Sequence, residues 1–112
     1  MPSVIYQVII PFNTQLPPGG RVQSEPFDVG GTESISVNVS ITNVNPAIRR
    51  TILFGPSPNG GFAPARVDTF QETNHLMTSL PTHGPEMFVV VENTGTVAMH
   101  CDGWLYGVRQ VP

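Results

Sequence analysis

In the stretch Glu33-Ser34-Ile35-Ser36-Val37-Asn38-Val39-Ser40-Ile41-Thr42-Asn43, the aliphatic residues Ile35, Val37, Val39 and Ile41 alternate strictly with the small polar residues Ser34, Ser36, Asn38, Ser40 and Thr42. In a helix, successive side chains turn by about 100° and would scatter Ile35, Val37, Val39 and Ile41 around the axis, whereas a pleated strand puts all four on one side. All four are β-branched, which suits an extended chain. The segment therefore predicts a strand with one face in a core and an opposite face of small uncharged groups.

Working outward, Ser3 to Phe12 reads as a first strand with Val4, Tyr6, Val8, Ile10 and Phe12 on one side and Ile5 and Ile9 on the other. Asn13 to Gly20, with Pro17, Pro18, Gly19 and Gly20, predicts a loop. Arg21 to Val29 returns as an edge strand, because Pro26 would interrupt a central ladder. Gly30-Gly31-Thr32 and Asn43 to Pro46 are turns on either side of the alternating strand. Ile48 to Phe54 follows, with Arg50 on the face of Ile48, Ile52 and Phe54.

Gly55-Pro56-Ser57-Pro58-Asn59-Gly60-Gly61 is dense in turn formers and predicts an exposed loop or hairpin tip. Ala65 to Gln71 and Asn74 to Leu80 read as strands joined around Glu72 and Thr73, and Pro81 to Pro85 as a loop. Glu86 to Glu92 sets Met87, Val89 and Val91 against Phe88 and Val90, apolar on both sides. After a turn at Asn93 to Thr96 come Val97 to Cys101 and then Gly103 to Val111, with Trp104, Tyr106 and Val108 on one face. About eight short strands separated by Gly and Pro turns, with no helix beyond one turn, predict an all-β fold. The architecture expected is an antiparallel β-sandwich, jelly-roll-like, in a single domain over residues 1–112, with a small closed barrel as the alternative.

Composition narrows the function. Of 112 residues only 12% are charged, 5 Lys plus Arg against 8 Asp plus Glu, for a net charge of −3. Every cation is an arginine: Arg21, Arg49, Arg50, Arg66 and Arg109. So sparse a basic set builds no track for a phosphate backbone, and no nucleic-acid partner is expected. Cys101, the single cysteine, can form neither an intrachain disulfide nor a zinc ribbon and reads as a buried thiol. The opening residues lack a positive n-region, and Pro11 cuts their apolar run short, so neither signal peptide nor membrane span is expected; the compartment stays open.

Catalytic and metal motifs are not found. His75, His83 and His100 lack ligand spacing, and on a strand His100 and Asp102 face away from Cys101. Neither a hydrolase elbow nor a phosphate-cradling glycine loop is present, so no enzyme activity, catalytic residue, metal or cofactor is expected. The long loop with Asn59 and Phe62, together with Trp104 and Tyr106, forms the candidate ligand-binding set, since aromatic faces beside amide groups suit a sugar ring. A lone tryptophan is more commonly a core anchor, and that reading of Trp104 is preferred.

Ile5, Ile9, Phe88 and Val90 form the candidate oligomer interface, being apolar on the second face of their strands in a chain with little charge. The run Ser24-Glu25-Pro26-Phe27-Asp28-Val29-Gly30-Gly31, the Gly55 to Gly61 loop and Val89-Val90-Val91-Glu92-Asn93-Thr94-Gly95-Thr96 resemble small bacterial or phage β-sandwich modules over residues 21 to 110. That resemblance carries no functional residue. The closing Asp102-Gly103-Trp104-Leu105-Tyr106 is similar to the last strand of trimeric C1q-like and tumour-necrosis-factor-like jelly rolls, which implies a trimer packed through aromatic strands. The expectation is a non-catalytic structural or interaction module forming a small homo-oligomer, with a carbohydrate-binding module as the alternative.

Overall fold

The computed structural model describes residues 3–42, 47–71 and 75–110, with side chains over 15–41, 47–69 and 77–107. Nine strands are present among these residues: β1 (Ser3–Leu16), β2 (Arg21–Gln23), β3 (Phe27–Asp28), β4 (Thr32–Thr42), β5 (Ala47–Gly55), β6 (Ala63–Gln71), β7 (His75–Pro81), β8 (Glu86–Asn93) and β9 (Met99–Gln110). They form two antiparallel sheets rather than one closed barrel. Sheet A has the order β1-β9-β4-β7, and sheet B the order β2-β8-β5-β6, with β3 also on β8. Taking β2 and β3 as one interrupted strand, these are the two interleaved four-strand orders of a jelly roll.

Proline explains the interruption. Pro26 removes an amide donor, and the gap is bridged by Ser24, whose amide donates to the Val89 carbonyl and whose Oγ accepts from the Val89 amide, both at 3.0 Å. Two segments differ from expectation. β1 runs on to Leu16 where a loop was expected from Asn13, because Pro11 falls within a register shift between Ile10 and Thr14 that lets the strand resume against β9. Leu16 is then buried in the core. Likewise Met99 to Gln110 is one strand, not two, since Gly103 is buried and paired on both sides, with Ile10 and Val39. The expected joins at Asn43 to Pro46 and Glu72 to Thr73, and Val111, lie outside the described residues.

The core lies between the sheets. Ile35, Val37, Val39, Ile41 and Leu105 come from sheet A, and Ile48, Ile52, Met87, Val89 and Val91 from sheet B. Burying each such side chain contributes about 2 kcal/mol. Trp104 is not among them: β9 turns Met99, Cys101 and Leu105 inward, so Trp104 takes the opposite face and is half-buried there, which corrects the core-anchor reading.

Within this aliphatic layer sits Arg50, 0% exposed. Its guanidinium donates to Asp68 Oδ2 at 2.7 Å on β6, to the Val37 carbonyl at 3.3 Å on β4, and to Thr78 Oγ1 on β7; Nε has no partner among the described residues. Arg66, at the rim, donates to both Asp68 oxygens at 3.1 Å. Burial pulls the Arg50 pKa down and Asp68 partly opposes this. At Asp68, desolvation pushes the carboxyl up, but hydrogen bonds and charge from Arg50 and Arg66 outweigh it and hold the group below the usual carboxylate value.

Because the folded pKa of Asp68 is depressed, its stabilisation is present above the ordinary carboxylate value and is lost as pH falls through the folded value. Removing one partner of a buried pair also strands the other. Asp68→Ala is therefore expected to cost about 3 kcal/mol at neutral pH in urea unfolding and to flatten the acid limb of stability, whereas Arg50→Met costs less. Equal loss in both variants would overturn this account.

Candidate functional site

The β5–β6 hairpin carries a loop held by its own hydrogen bonds. The Ser57 amide donates to the Gly61 carbonyl at 2.7 Å and the Gly60 amide to the Ser57 carbonyl at 2.8 Å, with Gly60 at φ +87°, where glycine is favoured. The Gly61 amide meets Ser57 Oγ at 3.1 Å and Asn59 Oδ1 at 3.3 Å, and the Ser57 hydroxyl donates to the same Asn59 oxygen. The Gly55–Pro56 peptide is cis. Asn59 therefore spends its oxygen inside the loop.

β8 pairs with β5 so that Glu86 faces Gly55, which brings the loop from Thr82 to Pro85 alongside the hairpin. Glycine makes the contact possible. A Cβ on Gly84 would lie 3.2 Å from the Gly55 backbone, and one on Gly55 only 2.7 Å from the Gly61 carbonyl and 2.9 Å from the Phe62 ring. Between the two loops opens a cleft of about 470 Å³, its walls including Phe54, Pro56, Asn59, Phe62, His83 and Pro85. His83 meets Phe54 edge-on at 5.5 Å, and Phe62 meets Phe88 edge-on at 5.1 Å. None of the lining residues is an Asp, Glu, Lys or Arg. Such a cleft suits an uncharged ring, with aromatic walls and an amide and hydroxyl edge.

The four expected ligand contacts divide between two places. Asn59 and Phe62 line the cleft; Trp104 and Tyr106 lie on the outer face of sheet A and do not. There the register sets Met77, Asn38 and Trp104 in one row and Ser79, Ser36 and Tyr106 in the next. Met77 is 61% and Tyr106 41% exposed, yet Asn38 between them is wholly buried, its Nδ2 donating to the Ser36 carbonyl at 3.4 Å and its Oδ1 without a donor among the described residues. Sequence reasoning missed Phe54 and His83 as cleft residues.

The expected interface residues also separate. Phe88 is half-buried under Phe62 of its own chain, and Val90 is 3% exposed within a single protomer. Val90 thus has almost no area left to offer a partner, a correction to its place in the interface. Ile5 and Ile9 pair with Val108 and Trp104 in the backbone register; their side chains lie outside the described residues. Among the histidines, His100 Nε2 is 3.7 Å from Asp102 Oδ1, His83 is in the cleft, and the side chain of His75 is outside the described residues. Cys101 is buried and its thiol is pushed up to about 12, by desolvation first and then by the charge of Asp102.

No protein-family model matches the chain, and no curated protein matches it. Solved structures do. PirA has a TM-score of 0.58 at 16% identity, over 94% of this chain and 92% of that one. A protein from Bacillus endospore appendages, described as a family of disulfide-linked pili, has a TM-score of 0.58 at 9% identity, over 97% and 88%. The VP2 subviral particle of infectious bursal disease virus has 0.51 at 14%, over 96% of this chain but 33% of VP2. What they share with this chain is the β-sandwich fold.

The glycine contacts make a graded test. Gly55→Ala drives a Cβ into backbone and is expected to cost about 1–3 kcal/mol in chemical denaturation, as overpacking does. Gly61→Ala meets nothing nearer than Ser57 Oγ at 3.4 Å and is expected to be close to neutral. The reverse order would refute the assigned loop packing.

Proposed function

We propose that the protein is a non-catalytic structural or interaction module that assembles with copies of itself into a small homo-oligomer. One observation carries this reading: across the middle of sheet A, the outer face sets Met77, Trp104 and Tyr106 beside Ser36 and Ser79, around a buried Asn38, without one charged side chain in either row. Interface cores are depleted in charge and enriched in Trp, Tyr and Met, and a solitary protomer normally defends such a sheet with charges. The neutrality of these two rows also suits a second copy, because like meets like there without repulsion. Pili and a viral particle are among the assemblies built on similar folds. Light scattering coupled to size exclusion is expected to give a multiple of the 12.1 kDa protomer mass at micromolar concentration; a protomer mass throughout would sink the proposal.

A second reading, carbohydrate binding, is favoured by the cleft itself. Phe54, Phe62 and His83 supply ring faces, and Asn59 and Ser57 supply a polar edge. On a glycan array this reading expects saturable binding that Phe62→Ala abolishes and Trp104→Ala spares, since Trp104 lies outside the cleft. Silence of the unmodified protein across the array removes it.

A further inference from the structure

The two sheets have four edges, and three of them carry a device that discourages another strand. On sheet B, the β2 and β3 edge is broken into pieces of 3 and 2 residues around Pro26, and β6 carries Pro64, Arg66 and Asp68. On sheet A, β7 spans 7 residues and closes on Pro81. Short strands, prolines and charges are how edges are kept from pairing with other chains. The fourth edge is β1.

Among the described strands β1 pairs only with β9. From Ser3 to Ile10 the register with β9 is unbroken, and the segment Ser3-Val4-Ile5-Tyr6-Gln7-Val8-Ile9-Ile10 holds no proline, glycine or charge. Only beyond it do Pro11 and the register shift interrupt the ladder. At about 3.3 Å per residue this leaves an edge of roughly 26 Å with one row of backbone donors and acceptors unused by the described strands.

We infer that a second copy of this chain pairs with the Ser3–Ile10 edge, β1 against β1 antiparallel about a twofold axis, joining two copies of sheet A into one continuous sheet. This rests on the self-association reading and places the contact at the edge of the neutral face, which the joined sheets extend across the axis rather than cover. A twofold perpendicular to the sheet keeps each residue on its own face, so paired residue numbers must sum to an even number. The axis through Gln7 sets Gln7 opposite the partner's Gln7, Ile5 opposite the partner's Ile9, Tyr6 opposite the partner's Val8 and Val4 opposite the partner's Ile10. From Val4 to Ile10 every pair then matches apolar with apolar or amide with amide, as cross-strand pairing favours, while Ser3 extends past the edge to the partner's Pro11. An axis through Tyr6 would instead set Ile5 against the partner's Gln7. The Gln7 register also extends the neutral row of Ser79, Ser36, Tyr106 and Gln7 straight into its symmetry mate.

Three variants test this, each checked for an unchanged far-ultraviolet dichroism spectrum and cooperative unfolding. Gln7→Lys sets like charges against each other across the axis and is expected to abolish the dimer at concentrations where the unmodified protein is fully dimeric. Met77→Lys, on the outer face away from β1, is expected to leave the dimer intact. Gln7→Cys is expected to form an intermolecular disulfide on mild oxidation, with Cys101 buried and silent. A trimer, or an oligomer that survives Gln7→Lys and yields to Met77→Lys, overturns the edge inference while leaving self-association standing. An unmodified protein that is monomeric overturns both.

Discussion

A positive charge buried from solvent stands between the sheets, and the arrangement of the strands around it follows from its need for partners. Arg50 projects inward from sheet B, yet two of its three acceptors, the Val37 carbonyl and Thr78, belong to sheet A. Its third, Asp68, lies directly opposite it on β6. A slip of β5 by one residue would turn Arg50 out to solvent and every one of its aliphatic neighbours with it, so the charge and the hydrophobic pattern enforce the same register. Such a pair is a weak source of net stability compared with an apolar pair of equal volume. Its consequence here is geometric: it fixes how far apart the sheets lie at the β6 and β7 rim, where aliphatic packing alone would permit sliding.

The segments readable from sequence are those whose state is decided by local chemistry. The alternation from Ile35 to Ile41, the prolines at 17 and 18, and Pro26 each act on their own residues, and the structure has a strand, a turn and a broken edge at those places. Segments decided by a remote partner were not readable. β1 continues to Leu16 because Met99 lies opposite, and Gly103 stays in a strand because Ile10 and Val39 hold it from both sides. The jelly-roll order is of the same kind, since each sheet alternates strands far apart in the chain and nothing local encodes which of them become neighbours.

The cleft divides along the same line. Asn59 and Phe62 stood out because a dense cluster of turn formers places its side chains at the surface wherever the hairpin lies. Phe54 looked like one more inward residue of an alternating strand, and it is 5% exposed, but it stands at the strand's end, where the inner face meets the loops. His83 carried no signal. It reaches Phe54 only because Glu86 pairs with Gly55, a contact between residues 31 apart (86 − 55) that also requires glycine at 55 and 84. Trp104 misled for a simpler reason: aromatic size predicts burial, but the parity of β9, set by Leu105 and Cys101, decides the face.

Where a chain with 5 basic and 8 acidic residues puts its charges says more than their number. On sheet B, Arg49 and Glu92 meet at 2.8 Å on the outer face, with Arg21 opposite the same glutamate in the register. Arg66 and Asp68 guard the β6 rim. On sheet A, His100 and Asp102 stand at one end, and the two rows beyond them are neutral as far as β1. Exposed pairs like Arg49 and Glu92 add little to folding stability, so stability does not account for the asymmetry. Solubility and defence against pairing do, because both depend on charge at the surface rather than in the core. Sheet B has been given that defence and the middle of sheet A has not. Both sheets leave apolar side chains exposed, but Val67 on sheet B stands between Arg66 and Asp68, whereas Met77 and Tyr106 on sheet A stand in rows that hold no charge.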